Sequence, residues 1–173
     1  MNGPSHHSSL RAPGLSPVAG CDPRVLILGS FPSALSLAHS EYYGNPRNQF
    51  WRIMEEHFAI PEGLPYPDRI ARLADRGVAL WDVIGACERP GSADSRIRDP
   101  VQNDIAGFVR AHPTVRLVAL NGSTAGRLYR KFSEIPGLAA VTLPSTSPAN
   151  AAVSFTEKVR AWGVVAESGN REY

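Results

Sequence analysis

The strongest constraint on the fold is a short apolar run that stops at a glycine. The sequence VLIL at residues 25–28 is followed by Gly29 and then by the segment SFPS. An apolar run of this length without alternating polar residues is typical of a strand buried on both faces. Residues 78–83, 115–120 and 139–143 form three further apolar runs. These four runs predict four strands of one sheet.

Segments with helical periodicity lie between these runs. They predict helices over residues 48–58, 68–75, 103–111, 124–132 and 154–162. Strands that alternate with helices form a mainly parallel sheet covered on both faces. The sequence therefore predicts an α/β fold, a three-layer α/β/α domain around a four-stranded, mainly parallel central sheet.

Ligands of such sheets bind at the carboxyl ends of the strands. This rule predicts that the functional site is built from the segments that follow the strands. These segments are residues 29–48, 82–98, 121–123 and 144–150.

The length of 173 residues fits a single domain, which we place at residues 23–166. Residues 1–22 are rich in Ser, Pro, Gly and His, so they predict a disordered N-terminal arm. Residues 167–173 predict a frayed tail. No apolar run reaches membrane-spanning length and no signal-peptide pattern is present, so no membrane partner is expected.

Cysteine and histidine usage argues against disulfide and metal frameworks. Cys21 and Cys87 are too few for either, and we expect free thiols in a cytoplasmic protein. His39, His57 and His112 lie too far apart in sequence for a zinc motif. We therefore expect no metal and no cofactor.

The charge balance leaves the partner open. A net charge of +2 is too small to show nucleic-acid binding by itself. Only two of the 18 basic residues are lysines, Lys131 and Lys158. The excess of arginine suits bidentate phosphate contacts, but a GC-rich genome would produce it equally well.

Three predicted loops carry unusual residues. GSFPS (residues 29–33) follows the first strand, YYGNPRNQFW (42–51) precedes a helix, and LPSTSPAN (143–150) follows the last strand. Each also has a purely structural interpretation. GSFPS fits a plain turn, Asn48 fits a helix cap beside a core Trp51, and LPSTSPAN fits a solvated turn.

The motifs GSFPS, YYGNPRNQFW, LWDVIGACERPGS, LNG and LPSTSPAN, in this order, resemble the uracil-DNA glycosylase superfamily. The resemblance covers residues 25–162 and is greatest to its mismatch-specific and hypoxanthine-DNA glycosylase branches. It implies a uracil-DNA glycosylase-like fold. It also implies a monofunctional DNA glycosylase that flips out and hydrolytically removes a deaminated base, with hypoxanthine favoured, in base excision repair.

The resemblance also assigns roles to residues. Phe31 stands where the mismatch-specific branch carries a catalytic asparagine, so the resemblance to the hypoxanthine branch implies that Asn48 positions the water. It implies that Tyr43 stacks on the flipped base and that Asp82 reads the base edge. The backbone of Gly29, Ser30 and Phe31 would then donate to the base.

The last motif resembles the loop that grips phosphate and enters the minor groove. Leu143 stands where this motif often carries His or Asn, which argues against classical uracil activity. The residues expected to contact DNA are Asn121, Ser145, Ser147, Pro148 and Asn150 from the motifs, and the arginines Arg47, Arg89 and Arg127. The expected partner is double-stranded DNA with a damaged or mismatched base.

Neither lysine falls in a predicted site segment, which favours a hydrolase over a lyase that needs an amine nucleophile. Three alternatives stay open: a uracil or thymine mismatch glycosylase, a catalytically silent DNA-binding homologue, and a small-nucleotide binding protein. The last would need a GxGxxG fingerprint, which GSFPS lacks. We expect a monomer in a bacterial-type cytoplasm, associated with the nucleoid.

Overall fold

The computed structural model describes residues 11–170. In chain order its elements are β1 (Ala12–Pro13), β2 (Val25–Gly29), α1 (Ala34–His39), α2 (Phe50–Phe58), α3 (Tyr66–Asp75), β3 (Val78–Asp82), β4 (Ile84–Glu88), a 3-10 turn (Asp94–Arg96), β5 (Arg98–Gln102), α4 (Ile105–Ala111), β6 (Leu117–Asn121), α5 (Ser123–Phe132), β7 (Ala139–Leu143) and α6 (Phe155–Gly169).

The central sheet has the strand order β3-β2-β6-β7, and its strands are all parallel. The predicted three-layer α/β/α fold is confirmed. In the sheet, β3 lies on one side of β2, and β6, which comes later in the chain, lies on the other side of β2. This reversal is the position at which open parallel sheets form a ligand crevice.

Alternate residues of β2 enter two separate cores, as the pleat requires. Val25 and Ile27 pack into a core that includes apolar residues of α2, α3 and α6. Leu26 and Leu28 pack into a second core with residues of α4 and α5. All four side chains are fully buried, so the apolar run at residues 25–28 serves both faces of the sheet.

The predicted helices are present, with modest shifts at their ends. The longest shift occurs in α6, which extends to Gly169 instead of ending near residue 162. A capping box starts this helix, because the Ser154 hydroxyl accepts from the Glu157 amide while the Glu157 carboxylate accepts from the Ser154 amide. The short helix α1 was not predicted.

A second, antiparallel sheet of order β1-β4-β5 was also not predicted. Its strands lie within or beside segments that the sequence presents as loops. In β5 most side chains are exposed, so the strand lacks the apolar signal that marks the central sheet.

The predicted disordered arm is wrong for residues 11–22. Ala12 and Pro13 pair with β4, and Val18 exchanges backbone hydrogen bonds with Leu80. The predicted frayed tail is wrong as far as Gly169, whose carbonyl accepts a 2.7 Å hydrogen bond from the buried Arg24 Nε. Residues 1–10 and 171–173, the remainder of both predictions, lie outside the described residues.

Cys21 and Cys87 are both free thiols, as expected. None of the helices in the described part of the chain is both long enough and apolar enough to cross a membrane.

Candidate active site

The carboxyl ends of the four parallel strands lie level with one another. Gly29 at the end of β2 is in register with Asp82 at the end of β3. Asn121 at the end of β6 is in register with Leu143 at the end of β7. The four predicted site segments therefore leave the sheet at one edge, as the sequence predicted.

Asp82 is a buried carboxyl group at this edge. The residue is 5% exposed, and its Oδ2 atom has no hydrogen-bond partner among residues 11–170. The pKa of Asp82 is raised to about 7, mainly by burial and also by the negative charge of Asp94, while the Arg89 guanidinium lowers it. Such a buried acceptor without a partner is costly unless a ligand or water supplies one.

Tyr43 brings a second unsatisfied polar group to the same place. Its hydroxyl is buried and has no hydrogen-bond partner within the described chain. Burial and the Asp82 charge raise the pKa of this phenol, while the nearby Asn121 amide lowers it. One face of the half-buried Tyr43 ring stacks on Phe50, with ring centroids 4.0 Å apart.

The backbone around Tyr43 is held in an unusual conformation. Tyr43 has a φ of 56°, in the left-handed region that non-glycine residues rarely adopt. The preceding residue anchors the turn, because the Tyr42 hydroxyl donates to the Ser16 carbonyl at 2.7 Å and Trp51 Nε1 donates to the Tyr42 carbonyl at 3.1 Å. Trp51 is a core residue, as predicted. Strain of this kind is characteristic of functional sites.

Gly29 makes room for the Asp82 carboxyl group. A Cβ atom at Gly29 would lie 2.5 Å from Asp82 Oδ1 and 3.5 Å from the Tyr43 hydroxyl. These three residues, predicted separately from the sequence as base-binding, are therefore immediate neighbours.

Ser30 and Phe31 follow Gly29 at the end of β2, and their backbone amides lie next to it in the chain. Their amides donate to no acceptor among residues 11–170, and the Ser30 hydroxyl donates to Asp94 Oδ2 at 2.7 Å. The Phe31 side chain is 7% exposed and packs in the core. Phe31 can therefore contribute its amide to a ligand but not its ring.

Arg89 has a buried side chain, only 3% exposed, so the prediction that it contacts DNA is wrong. The guanidinium donates to the carbonyls of Gly91, Phe31 and Pro32 and lies 3.7 Å from the Asp94 carboxylate. Arg89 thus fastens the loop after β4 to the loop after β2 instead of facing solvent, and sequence position alone could not show this.

Asn48 lies just before α2 and is half-buried. Its Oδ1 accepts a 2.9 Å hydrogen bond from the Phe50 amide, so the side chain caps the first amide of α2, although the N-cap position itself is held by Gln49 and not by Asn48. Its Nδ2 group donates to no acceptor in the described residues. The side chain can therefore brace the helix start and still offer a donor and a second lone pair on Oδ1.

Asn121 joins β6 to the loop of residues 144–150. Its Nδ2 donates to the Thr146 hydroxyl at 2.9 Å, and its Oδ1 accepts from the Thr146 amide at 3.0 Å. Thr146 is fully buried, and its carbonyl accepts from the Gln49 amide at 2.9 Å. Thr146 is not among the site residues predicted from the sequence, because its neighbours resemble a solvated turn.

The same loop ends in an exposed tip. Pro148 and Ala149 are exposed, while the residues beside them hydrogen-bond within the loop. The Ser145 hydroxyl accepts from the Ser147 amide at 3.2 Å, and Asn150 Nδ2 donates to the Ser145 carbonyl at 3.1 Å. The predicted DNA-binding residues of this segment therefore form one braced projection.

Lys158 also belongs to this region, although it is remote in sequence. This residue of α6 is 2% exposed, and its Nζ donates to Gln49 Oε1 and to the Asn150 carbonyl, both at 2.8 Å. Lys158 lies outside the predicted site segments in the sequence, but the fold places its amine against Gln49 and Asn150, beside two of these segments.

Two predicted phosphate contacts, Arg47 and Arg127, are exposed at the surface. Their role stays a prediction. Residues 11–170 contain no group of three or more His, Cys, Asp or Glu side chains that could hold a metal ion.

Comparison with known proteins places this chain in a family. Residues 17–165 match the family model of the Uracil DNA glycosylase superfamily. The chain belongs to this superfamily. The site at the strand ends is therefore the candidate active site of a superfamily member, and the resemblance of the sequence motifs is confirmed.

Two proteins and one solved structure from Methanosarcina species are similar to this chain. A Hypoxanthine DNA glycosylase from Methanosarcina acetivorans is 41% identical over 129 residues, which cover 73% of this chain and 80% of that protein. A Hypoxanthine DNA glycosylase from Methanosarcina barkeri is 32% identical over 142 residues, with coverages of 82% and 89%. The NMR structure of a candidate uracil DNA glycosylase from Methanosarcina acetivorans superposes with a TM-score of 0.81 at 34% identity, covering 92% of this chain and 99% of that one.

The close approach of Asp82 to Gly29 predicts a cost for adding a methyl group there. Gly29→Ala should lower the free energy of unfolding by about 1–3 kcal/mol, because the new Cβ overlaps a buried carboxyl group that has little room to move. Urea unfolding measures the change. Gly63→Ala is the matched control, since a Cβ at Gly63 meets no atom within 4 Å. Equal stabilities of the two variants would contradict the packing described here.

The raised pKa of Asp82 predicts a pH-dependent stability. Between its ordinary pKa of 3.8 and about 7, the folded state keeps a proton that the unfolded state has lost. Protonated Asp82 therefore raises the free energy of unfolding at low pH, and this contribution is lost as the pH rises through about 7. Asp82→Asn should lose less stability than the wild type between about pH 5 and about pH 8 in urea unfolding. Asp75→Asn, at an exposed carboxylate, should follow the wild type. Parallel pH profiles for the wild type and Asp82→Asn would show that Asp82 has no raised pKa.

Proposed function

We propose that this protein is a monofunctional DNA glycosylase that flips a deaminated base, with hypoxanthine preferred, out of the duplex and hydrolyses its N-glycosidic bond. The observation that carries the proposal is the paired burial of two unsatisfied polar groups, Asp82 Oδ2 and the Tyr43 hydroxyl, at the strand ends of a uracil-DNA glycosylase superfamily member. The names of two relatives support the choice of hypoxanthine.

The site chemistry suits the edge of a deaminated purine. Hypoxanthine presents an oxygen acceptor beside a ring N–H donor. An Asp82 carboxylate accepts from such an N–H, and the neutral acid donates to such an oxygen. Because the pKa of Asp82 is about 7, both forms exist near neutral pH. The Tyr43 hydroxyl adds a second group, and the ring face opposite Phe50 would be the surface on which the base stacks.

Departure of the base leaves electron density on it, and hydrogen-bond donors favour this step. The amides of Ser30 and Phe31 are such donors, and they follow directly after Gly29 at the wall of the site. Preorganised backbone donors of this kind stabilise developing negative charge without reorganisation.

The attacking water needs a group that orients it. Phe31, a buried core residue, occupies the position where the mismatch-specific branch carries its asparagine. Asn48, whose Oδ1 accepts from the Phe50 amide, supplies an amide instead. An amide cannot act as a strong base at neutral pH, so its contribution is positional.

The two lysines favour hydrolysis over an imine mechanism. The Lys158 amine is buried and donates to two oxygens, and Lys131 lies exposed on α5 with its Nζ over the Phe132 ring. Neither presents a free amine to the strand ends. The expected product is an intact strand with an abasic site.

In this proposal the protein works as a monomer on double-stranded DNA. The exposed tip of residues 148–149 would fill the gap left by the flipped nucleotide, with Ser145, Ser147 and Asn150 near the backbone and Arg47 and Arg127 at flanking phosphates. We keep the cytoplasmic, nucleoid-associated location as part of the proposal.

A panel of duplexes tests the function. Oligonucleotides that carry hypoxanthine, uracil, xanthine or a T:G mismatch are incubated with the protein and then treated with alkali to reveal abasic sites. We expect the largest yield from hypoxanthine and no strand cleavage before alkali. Preferred cleavage of uracil or of T:G would favour the mismatch-specific alternative. No excision of any of these bases would favour a catalytically silent DNA-binding homologue. Strand nicking before alkali, together with an enzyme–DNA imine that borohydride traps, would contradict hydrolysis.

Asn48→Ala separates catalysis from helix capping. Loss of the contact to the Phe50 amide should cost about 1 kcal/mol of stability, whereas loss of water positioning should lower single-turnover excision by roughly a hundredfold or more. Binding of the damaged duplex should be largely kept. Asn45→Ala is the matched control, because Asn45 Oδ1 makes a similar local bond to the Arg47 amide. If Asn48→Ala melts lower but cleaves at the wild-type rate, Asn48 is only a cap.

A further inference from the structure

Lys158 is a buried cation at the junction of two segments of the site. It lies in the first turn of α6, and none of the carboxylates among residues 11–170 forms an ion pair with it. Its two partners, Gln49 Oε1 and the Asn150 carbonyl, are neutral. Gln49 directly follows Asn48, and Asn150 closes the braced loop of residues 144–150.

The Lys158 contacts complete a two-point attachment. At one point, the Gln49 amide donates to the Thr146 carbonyl at 2.9 Å. At the other, the Lys158 Nζ links the Gln49 side chain to the Asn150 carbonyl. The loop is thus tied to the start of α2 on both sides of its exposed tip, and a rotation of the loop would have to move residues 48–49 as well.

Packing alone does not require a cation at this position. Burial lowers the pKa of Lys158, which shows that its charged form pays a desolvation cost. An apolar side chain of similar length would fill the same space without that cost. What the ammonium provides is two directional hydrogen bonds to two different segments.

We propose that Lys158 is a positioning residue that holds the DNA-facing loop of residues 144–150 at a fixed position relative to the water-positioning segment at Asn48. Insertion of the loop tip into the duplex then fixes Asn48 relative to the sugar of the flipped nucleotide. This proposal rests on the glycosylase function proposed above. It assigns Lys158 no contact with the substrate.

Lys158→Met tests the proposal, and Lys131→Met is the control that removes the same charge from an exposed site on α5. At saturating enzyme, Lys158→Met should slow single-turnover excision from hypoxanthine duplexes by about tenfold to a hundredfold, because a small misplacement of a catalytic group has an effect of this size. The Kd for the duplex should change much less. The comparison is made at a temperature where both variants are fully folded, so that lost stability does not enter the rate.

Gln49→Leu removes the same bridge from its other end and serves if Lys158→Met does not fold. If both residues act through one contact, the double variant should be no slower than the slower single variant. Additive losses, or a rate for either variant equal to that of the Lys131→Met control, would overturn the proposal.

Hydrogen exchange provides a readout that does not depend on activity. Amides of residues 145–151 should exchange faster in Lys158→Met than in the wild type or in Lys131→Met, because one of the two attachments is lost. Unchanged exchange would overturn the bridge. A wild-type protein without glycosylase activity would instead overturn the proposed function, and the exchange comparison would still decide whether Lys158 holds the loop.

Discussion

The contact between the Asp82 carboxyl group and the bare backbone of Gly29 is the constraint around which the site is arranged. Parallel pairing of β2 and β3 places these residues side by side, and the missing side chain of Gly29 leaves the carboxyl group its space. Tyr43, held in a left-handed conformation by its neighbours, directs its hydroxyl to the same place. The sheet thus brings together two buried polar groups that have no hydrogen-bond partner among residues 11–170, and these groups define what a ligand must offer.

A hydrogen-bonded chain braces the loop that follows β7. It runs from Asn121 through Thr146 to the Gln49 backbone, and the Gln49 side chain continues it to Lys158. Every link joins residues that are distant in sequence, so the chain connects β6, the loop after β7, the start of α2, and α6. A loop braced in this way holds its short exposed tip in one conformation, as a wedge for duplex DNA requires.

Much of the fold could be predicted because β2 is buried on both faces and its sequence is continuously apolar. The same logic located the strand ends and the segments that follow them, and the resemblance to the superfamily singled out Gly29, Tyr43 and Asp82 within these segments. The second sheet escaped prediction because β1 has two residues and β5 is mostly exposed, so neither has a periodic signal. Arg89 was misassigned and Lys158 overlooked because the partners that decide their roles lie far away along the chain, such as Gln49 at 109 positions from Lys158.

The most direct test of this account is a crystal structure of the protein with a duplex that contains 2′-fluoro-deoxyinosine, in which the fluorine slows loss of the base. The account predicts an extrahelical hypoxanthine with its edge at Asp82 and one face on Tyr43, and residues 148–149 in the gap of the duplex. A base that stays stacked in the duplex, or one bound away from the carboxyl ends of β2 and β3, would contradict it.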